Sequence, residues 1–539
     1  MHARTVSAVC AGLLTTTILA AAPLGSAGGT TSTTTSALAG NLARGAPAAP
    51  VREIDWGQCE DESLQQAGAQ CGTLAVPLDH SRPDGRKIRL AVSRVLHTEK
   101  PYRGAVFTNP GGPGGPGLSL ATLGQFVPDQ VGLTYDWYGM DLRGVGTSRP
   151  ALSCDPRYFG WDRPPYVPRT SKIMEVWRAK AARYARACGS ASASELLDHM
   201  RTEDNVADFE SLRRAIGQQK ITFYGFSYGS YIAQVYATQH PRSLEAIVMD
   251  GVVNPRWAWY KANIEQNIAF QKTIERFFAW VARYREVYHL GKTKRAVIKN
   301  FHQLHRQLTR HPAGGRIGPS EFDDALLLAG YLNLLWTDVA QAWSDLANEG
   351  RWQGIAGLYR ALNPTGPKAD NGYAVYLATI CTDAPWPGWN RMRRDAWRVH
   401  RNGNWFFAWG NTWFNAPCLN WPGDAEPRVR VTGKRLKAPV LLVSETLDAA
   451  TPYAGALAVR RMFPTSRLVA GVGGTSHAVS LFGIPCTDNA IAALLRNGTL
   501  PPRKPGNQAD KRCSPLPPPD PTASPRMLVP EHRPWLPLR

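Results

Sequence analysis

Gly225-Phe226-Ser227-Tyr228-Gly229 is a G-x-S-x-G pentapeptide, and its neighbours decide what it is worth. By composition alone the pattern arises by chance in roughly one chain in five of this length. Here it directly follows the strand-like run Lys220-Ile221-Thr222-Phe223-Tyr224 and opens a helix-like run from Ser230 to Ala237. A strand that turns at once into a helix strains its corner residue, and flanking glycines remove the side chains that would clash there. Ser227 then projects above the sheet as a candidate nucleophile.

A nucleophilic serine needs a base to take its proton and an acid to orient that base, and in this arrangement they follow in the order Ser, Asp, His. The continuous apolar run from Pro439 to Ser444 reads as a buried parallel strand. Glu445-Thr446-Leu447-Asp448 stands at its carboxyl end, where open α/β sheets place ligand chemistry, and Asp448 is the candidate acid. One more strand, Arg467 to Ala470, runs into the loop Gly471-Val472-Gly473-Gly474-Thr475-Ser476-His477, and His477 is the candidate base. Taken singly, a histidine in a glycine-rich loop is more often a surface residue, and an aspartate after a strand more often a cap or turn former. Their order and their strand-end positions favour the triad. His240, before Pro241, reads as a helix end, and His302 with His305 as part of a solvated helical face.

Acyl transfer also needs N–H groups aimed at the oxyanion. The strand-like Arg103 to Asn109 ends in Pro110-Gly111-Gly112-Pro113-Gly114-Gly115-Pro116-Gly117, which brings bare backbone against a ligand. The run has no Walker lysine and no G-x-G-x-x-G, so a phosphate loop is disfavoured. The N–H of Tyr228, the residue after the nucleophile, is the second expected donor.

The run Asn109 to Gly117, the segment Asp141-Leu142-Arg143-Gly144-Val145-Gly146-Thr147-Ser148 and the serine elbow together resemble the prolyl-iminopeptidase-like branch of the α/β-hydrolases. Cys71 to His80, Ser444 to Pro452 and Gly474 to His477 look like the secreted tripeptidyl aminopeptidases of Streptomyces and related actinobacteria, a resemblance covering about residues 52–513. It implies an α/β-hydrolase fold, a mostly parallel doubly wound sheet with a large helical cap insertion. It also implies a serine peptidase that releases tripeptides from free N-termini, with no metal and no cofactor. The loop begins with Pro110 where prolyl iminopeptidases carry histidine, so Gly112 is the oxyanion donor by alignment. Asp141 and Arg143 read as a charge pair that fixes the loop beside the oxyanion glycines. Prolyl aminopeptidase and esterase or lipase activity with the same triad are the rival enzymes; a noncatalytic cell-wall or peptide-binding protein is the rival from another class.

An aminopeptidase must also offer a negative group to the substrate ammonium, which is otherwise desolvated without a partner. Asp383, beside a cysteine and aromatics, and Glu445, near Asp448, are the candidates.

The surrounding chain is expected to serve this site as follows. Residues 1–27, basic at the start and apolar from Val6 to Ala22, read as a signal peptide, and the Gly/Thr/Ser/Ala/Pro-rich 28–50 as disordered or a propeptide. The catalytic domain is expected over 51–254 and 431–500, with an inserted cap over 255–430 and a proline-rich surface tail over 501–539 tied by Cys513. Helical apolar spacing runs through Phe270 to Leu290 and Ala325 to Ala347, and 13 of the 18 tryptophans fall between Trp257 and Trp421, so some should line a peptide cleft. Loss of the leader removes Cys10 and leaves eight cysteines. Sequential pairing is the simplest of 105 schemes: Cys59–Cys71, Cys154–Cys188, Cys381–Cys418 and Cys486–Cys513. No C-x-x-C suggests a metal site, and no later run reaches the roughly 18 apolar residues of a membrane anchor. The formal charge of +20 is scattered and carries no nucleic-acid motif. A secreted, extracellular protein with loose cell-wall adhesion is the expectation.

Overall fold

The computed structural model describes residues 54–523, so the expected signal peptide and propeptide lie outside the described residues. Ten strands form one sheet: β1 Gly57–Gln58, β2 Gln70–Pro77, β3 Lys87–Val95, β4 Ala105–Asn109, β5 Asp136–Met140, β6 Ile221–Phe226, β7 Leu244–Asp250, β8 Val440–Glu445, β9 Ser466–Gly471 and β10 Lys511–Cys513. Their spatial order is β1-β2-β3-β5-β4-β6-β7-β8-β9-β10. The first pairs are antiparallel, and from β5 onward the sheet is parallel. Sequence accounts for the division. In β2 and β3 apolar residues alternate with polar ones, and Leu74 and Val76 face Leu90 and Ile88 across the ladder with the intervening positions outward. The runs AVFTN, ITFYGF and VLLVSE are buried throughout, as strands covered on both faces must be.

The register sets the height of the site. Asn109 pairs with Gly225, so the glycine–proline loop after β4 and the turn after β6 leave the sheet at the same level. Successive connections depart to opposite sides of β4, which opens the crevice where ligands bind in such sheets.

Between β7 and β8 the chain is helical, from Tyr260–Arg283 to the short 3-10 turn Ala416–Asn420. The single helix suggested by the spacing from Ala325 to Ala347 is broken: one helix ends at Tyr331, a 3-10 turn spans Asn333–Leu335, and a second helix runs Trp336–Glu349. Apolar spacing continues through the break and hides it. The cap also recruits residues from outside the inserted stretch. The excursion between β5 and β6 carries Tyr166 and the helix Ser171–Gly189, whose Trp177 stacks on Trp413. Tryptophans fill the cap interior in two groups, around Trp280, Trp336 and Trp343 and around Trp177, Trp409 and Trp413.

The cysteines pair sequentially, Cys59–Cys71, Cys154–Cys188, Cys381–Cys418 and Cys486–Cys513. The tail expectation needs correction. Lys511–Cys513 adds to the sheet as a parallel edge strand beside β9, and Leu516 is buried, so this part of the tail belongs to the fold rather than wrapping it. His305 is half-buried against Asp323 at 3.2 Å instead of lying on a solvated face.

Candidate active site

Ser227 occupies the corner between β6 and the helix Tyr228–Gln239 with φ 53° and ψ −120°, the left-handed strain expected of such an elbow. The flanking glycines are a steric requirement. A Cβ on Gly225 would stand 2.2 Å from the Gly229 carbonyl oxygen, and one on Gly229 would stand 2.5 Å from the Asn109 carbonyl oxygen. The Ser227 N–H donates to the Asp250 carbonyl at 2.8 Å, which ties the corner to the end of β7.

His477 and Asp448 converge on this corner. His477 Nδ1 lies 2.8 Å from Asp448 Oδ2. Asp448 is held in turn: Oδ1 accepts the N–H groups of Ala450 and Thr451 at 2.9 and 3.0 Å, and Oδ2 accepts the Thr451 hydroxyl at 2.7 Å. The imidazole is buried, which works against its cation. The Asp448 carboxylate, with a smaller contribution from Asp250, outweighs this and holds its pKa above the ordinary 6.5. Gly251 leaves room for the ring, since a Cβ there would stand 2.7 Å from His477 Cε1.

The glycine–proline loop packs directly on the elbow. A Cβ on Gly111 would lie 2.8 Å from Ser227 Cβ and 2.9 Å from the Tyr228 nitrogen. Gly112 is exposed toward the cleft, and its N–H meets no acceptor among the described residues. Asp141 anchors the far end of the loop by accepting the Gly117 N–H at 2.7 Å and the Thr147 N–H at 2.9 Å. The expected Asp141–Arg143 pair does not form. The Arg143 guanidinium turns away to grip Asp208 through two 2.8 Å bonds, with the Leu78 and His199 carbonyls beside it. Asp141 therefore fixes the loop through backbone N–H groups.

Ser227 and His477 open into a cleft of about 250 Å³ between sheet and cap. Its walls are rich in aromatic residues but contain no tryptophan; Phe159, Tyr166, Tyr331, Tyr373, Tyr376, Phe407 and Phe414 supply the rings. Another depression, by Arg103, Gln218, Lys220 and Glu245, lies at the opposite, amino ends of β4, β6 and β7.

Neither acid expected to meet a substrate ammonium lines this cleft. Asp383 is buried under the cap, where it accepts the Thr202 N–H and hydroxyl at 2.7 and 2.6 Å and the Trp259 indole N–H at 3.0 Å; burial pushes its pKa up to about 6. Glu445 is buried beneath the histidine loop. The acid that does line the cleft is Asp324, on the helix Pro319–Tyr331. Its carboxylate accepts from Arg163 Nη2 at 2.7 Å and from the Tyr166 hydroxyl at 2.8 Å. The same guanidinium donates from Nε to Glu321 at 2.8 Å. Burial raises the Glu321 carboxyl, yet its partners, the N–H groups of Gly318 and Arg163 and the guanidinium, are all donors that favour the anion. One buried guanidinium thus serves two carboxylates. No sequence pattern marks Asp324, because Arg163 lies far from it along the chain.

Comparison with known proteins gives the same fold. An α/β-hydrolase fold family model matches residues 104–483. The chain is 36% identical over 489 residues to a tripeptidyl aminopeptidase of Streptomyces lividans, covering 88% of this chain and 89% of that protein. It is 30% identical over 491 residues to the serine protease Hip1 of Mycobacterium tuberculosis, covering 86% and 93%. A carboxylesterase B of the same species is 28% identical over 499 residues, covering 87% and 92%.

Proposed function

The chain belongs to the α/β-hydrolase family and groups there with the Streptomyces tripeptidyl aminopeptidases; from that premise we propose that it is a secreted serine exopeptidase releasing tripeptides from the free N-termini of polypeptides. The observation that carries the reading is the joint opening of Ser227 and His477 into a capped cleft whose one acidic lining residue, Asp324, shares its guanidinium partner with Glu321.

In this reading His477 takes the Ser227 proton as the hydroxyl attacks the scissile carbonyl. Asp448 keeps the imidazole oriented and stabilises the imidazolium. The N–H groups of Gly112 and Tyr228 receive the oxyanion, and the start of the helix Tyr228–Gln239 adds its positive end. The leaving amine takes a proton from His477, and water then resolves the acyl-enzyme by the same route in reverse. The aromatic walls hold the acyl-side residues, and Asp324 receives the α-ammonium. Four disulfides support an oxidising, extracellular compartment. Among the described residues no helix is long and apolar enough to cross a membrane. The +20 charge supports loose adhesion to an anionic cell wall, which moderate salt should release.

The test compares chromophore release from a free-amine tripeptide anilide, its N-acetylated form, a prolyl anilide and a short-chain ester, with Ser227→Ala as the control. Preferential, Ser227-dependent cleavage of the free tripeptide is expected. Turnover of the ester alone would favour the esterase reading that the carboxylesterase relative supports. Turnover of the prolyl anilide alone would indicate a prolyl aminopeptidase, and none at all a binding protein.

A further inference from the structure

Glu445 is a buried carboxylate with no role in the chemistry above, and its two oxygens face two different parts of the chain. Oε2 accepts the N–H of Ser476, the residue before His477, at 2.5 Å. Oε1 accepts the N–H of Leu516, in the C-terminal tail, at 3.1 Å. The histidine loop closes directly onto this carboxyl: a Cβ on Gly474 would stand 2.3 Å from Glu445 Cδ.

The tail is anchored on both sides of that contact. Before it, β10 pairs with β9, Cys513 is bonded to Cys486, and the Cys513 carbonyl accepts the Val472 N–H at 3.0 Å. At the contact, Leu516 packs with Leu332, Val479 and Phe482, and its carbonyl accepts Asn333 Nδ2 at 2.8 Å. Beyond it, the Pro519 carbonyl accepts the Trp280 indole N–H at 3.0 Å. The break in the cap helix reaches the same loop from above. The Asn333 N–H donates to Ser476 Oγ at 3.1 Å, and the His477 N–H donates to the Tyr331 carbonyl at 2.8 Å.

A loop carrying Gly473 and Gly474 has little stiffness of its own, so outside anchors set the height of its histidine. We propose that Glu445 is a positioning residue for His477 and that the tail around Leu516, acting through Glu445, is a strap holding the base in line with Ser227. The proposal rests on His477 being the base. Its energetic logic is that burying a carboxylate is costly and that a misplacement of about 1 Å in a catalytic group costs on the order of 100-fold in rate. Burial, with a smaller contribution from the Asp448 and Asp250 carboxylates, pushes Glu445 up to about 8 against the pull of its two N–H donors. Protonation below that value weakens the carboxyl as an acceptor for these two N–H groups.

The test uses the full chain and four readouts: the rate at which a fluorophosphonate labels Ser227, the pH profile of that rate, kcat and KM on the tripeptide anilide, and the melting temperature. Labelling reports serine activation without any substrate amine. Failure of the aminopeptidase reading would therefore show separately, as a parent chain that labels but does not cleave the anilide. Glu445→Gln should lower labelling and kcat about 10-fold or more per folded molecule, keep KM within about twofold, and remove a step near pH 8 from the parent profile. Leu516→Pro, which deletes the single N–H, should act in the same direction even where Glu445→Gln folds poorly. Leu516→Ala keeps that N–H and should recover most of the rate. Parent-like labelling and an unchanged pH profile in both Glu445→Gln and Leu516→Pro would overturn the strap, as would losses that vanish once the folded fraction is counted.

Discussion

The two ends of the cleft are built differently. At the catalytic end Ser227, Asp448 and His477 each stand at or just beyond a strand's carboxyl end, and the bonds that hold Asp448 come from residues two and three positions away. At the far end Asp324, Glu321, Arg163 and Tyr166 come from two chain segments joined only by the fold. The candidate triad sits at strand ends, and the candidate specificity is assembled between two distant segments of the cap region. Catalytic-end variants should therefore damage every substrate through kcat, and far-end variants only free-amine peptides through KM.

The largest expected effect belongs to the catalytic end. Asp448→Asn leaves the shape of the site but removes the group that selects the imidazole tautomer, so kcat on anilide and ester alike should fall about 10⁴-fold. A variant that lost only peptide turnover would break the comparison. Next comes the far-end cluster. Arg163→Met strands the buried Glu321 carboxylate and removes the cation beside Asp324, and should destabilise the protein by about 3–5 kcal/mol, read by denaturant unfolding. A change of a few tenths would show that the cluster is not charged.

Asp324→Asn is smaller and sharper. Loss of a charged partner for the ammonium should raise KM for free tripeptide anilides about 10- to 100-fold, within the worth of a charge-assisted hydrogen bond, while ester turnover and fluorophosphonate labelling stay near parent values. Equal losses on N-acetylated and free substrates would remove Asp324 from substrate binding. The smallest effect is in pH. The base must be neutral to accept a proton, and the folded His477 binds its proton more tightly than a free imidazole. Activity should therefore fall with decreasing pH through a midpoint above 6.5, and the residual activity of Asp448→Asn should fall through a lower one.

Legibility in the sequence follows the same divide. The strand-like runs before Ser227, Asp448 and Asn109 were readable as short apolar stretches because strands buried on both faces contain little else. The elbow was readable in part because Gly225 is forced by the Gly229 carbonyl four residues on, whereas Gly229 is forced by Asn109 across the fold. Asp383 and Glu445 look alike in sequence to any acid near a strand end or an aromatic. Their partners, Thr202 and Trp259 for one and Ser476 and Leu516 for the other, decide that both are struts. The tryptophans misled for a related reason: large apolar side chains fill a cap interior as readily as they line a cleft, and composition carries no direction.

By itself the sequence determined the sheet's parallel centre, the strained serine corner, the order of the candidate acid and base, and a cysteine set whose sequential pairing the fold adopts. Each depends on neighbours a few residues apart or on chain order. Only the tertiary structure decided which acid reaches the cleft, that Arg143 serves Asp208 and not Asp141, and that the tail enters the sheet beneath the histidine loop. Those outcomes are set by which buried donors and acceptors meet across hundreds of residues, and a buried carboxylate takes its role from the partner that satisfies it.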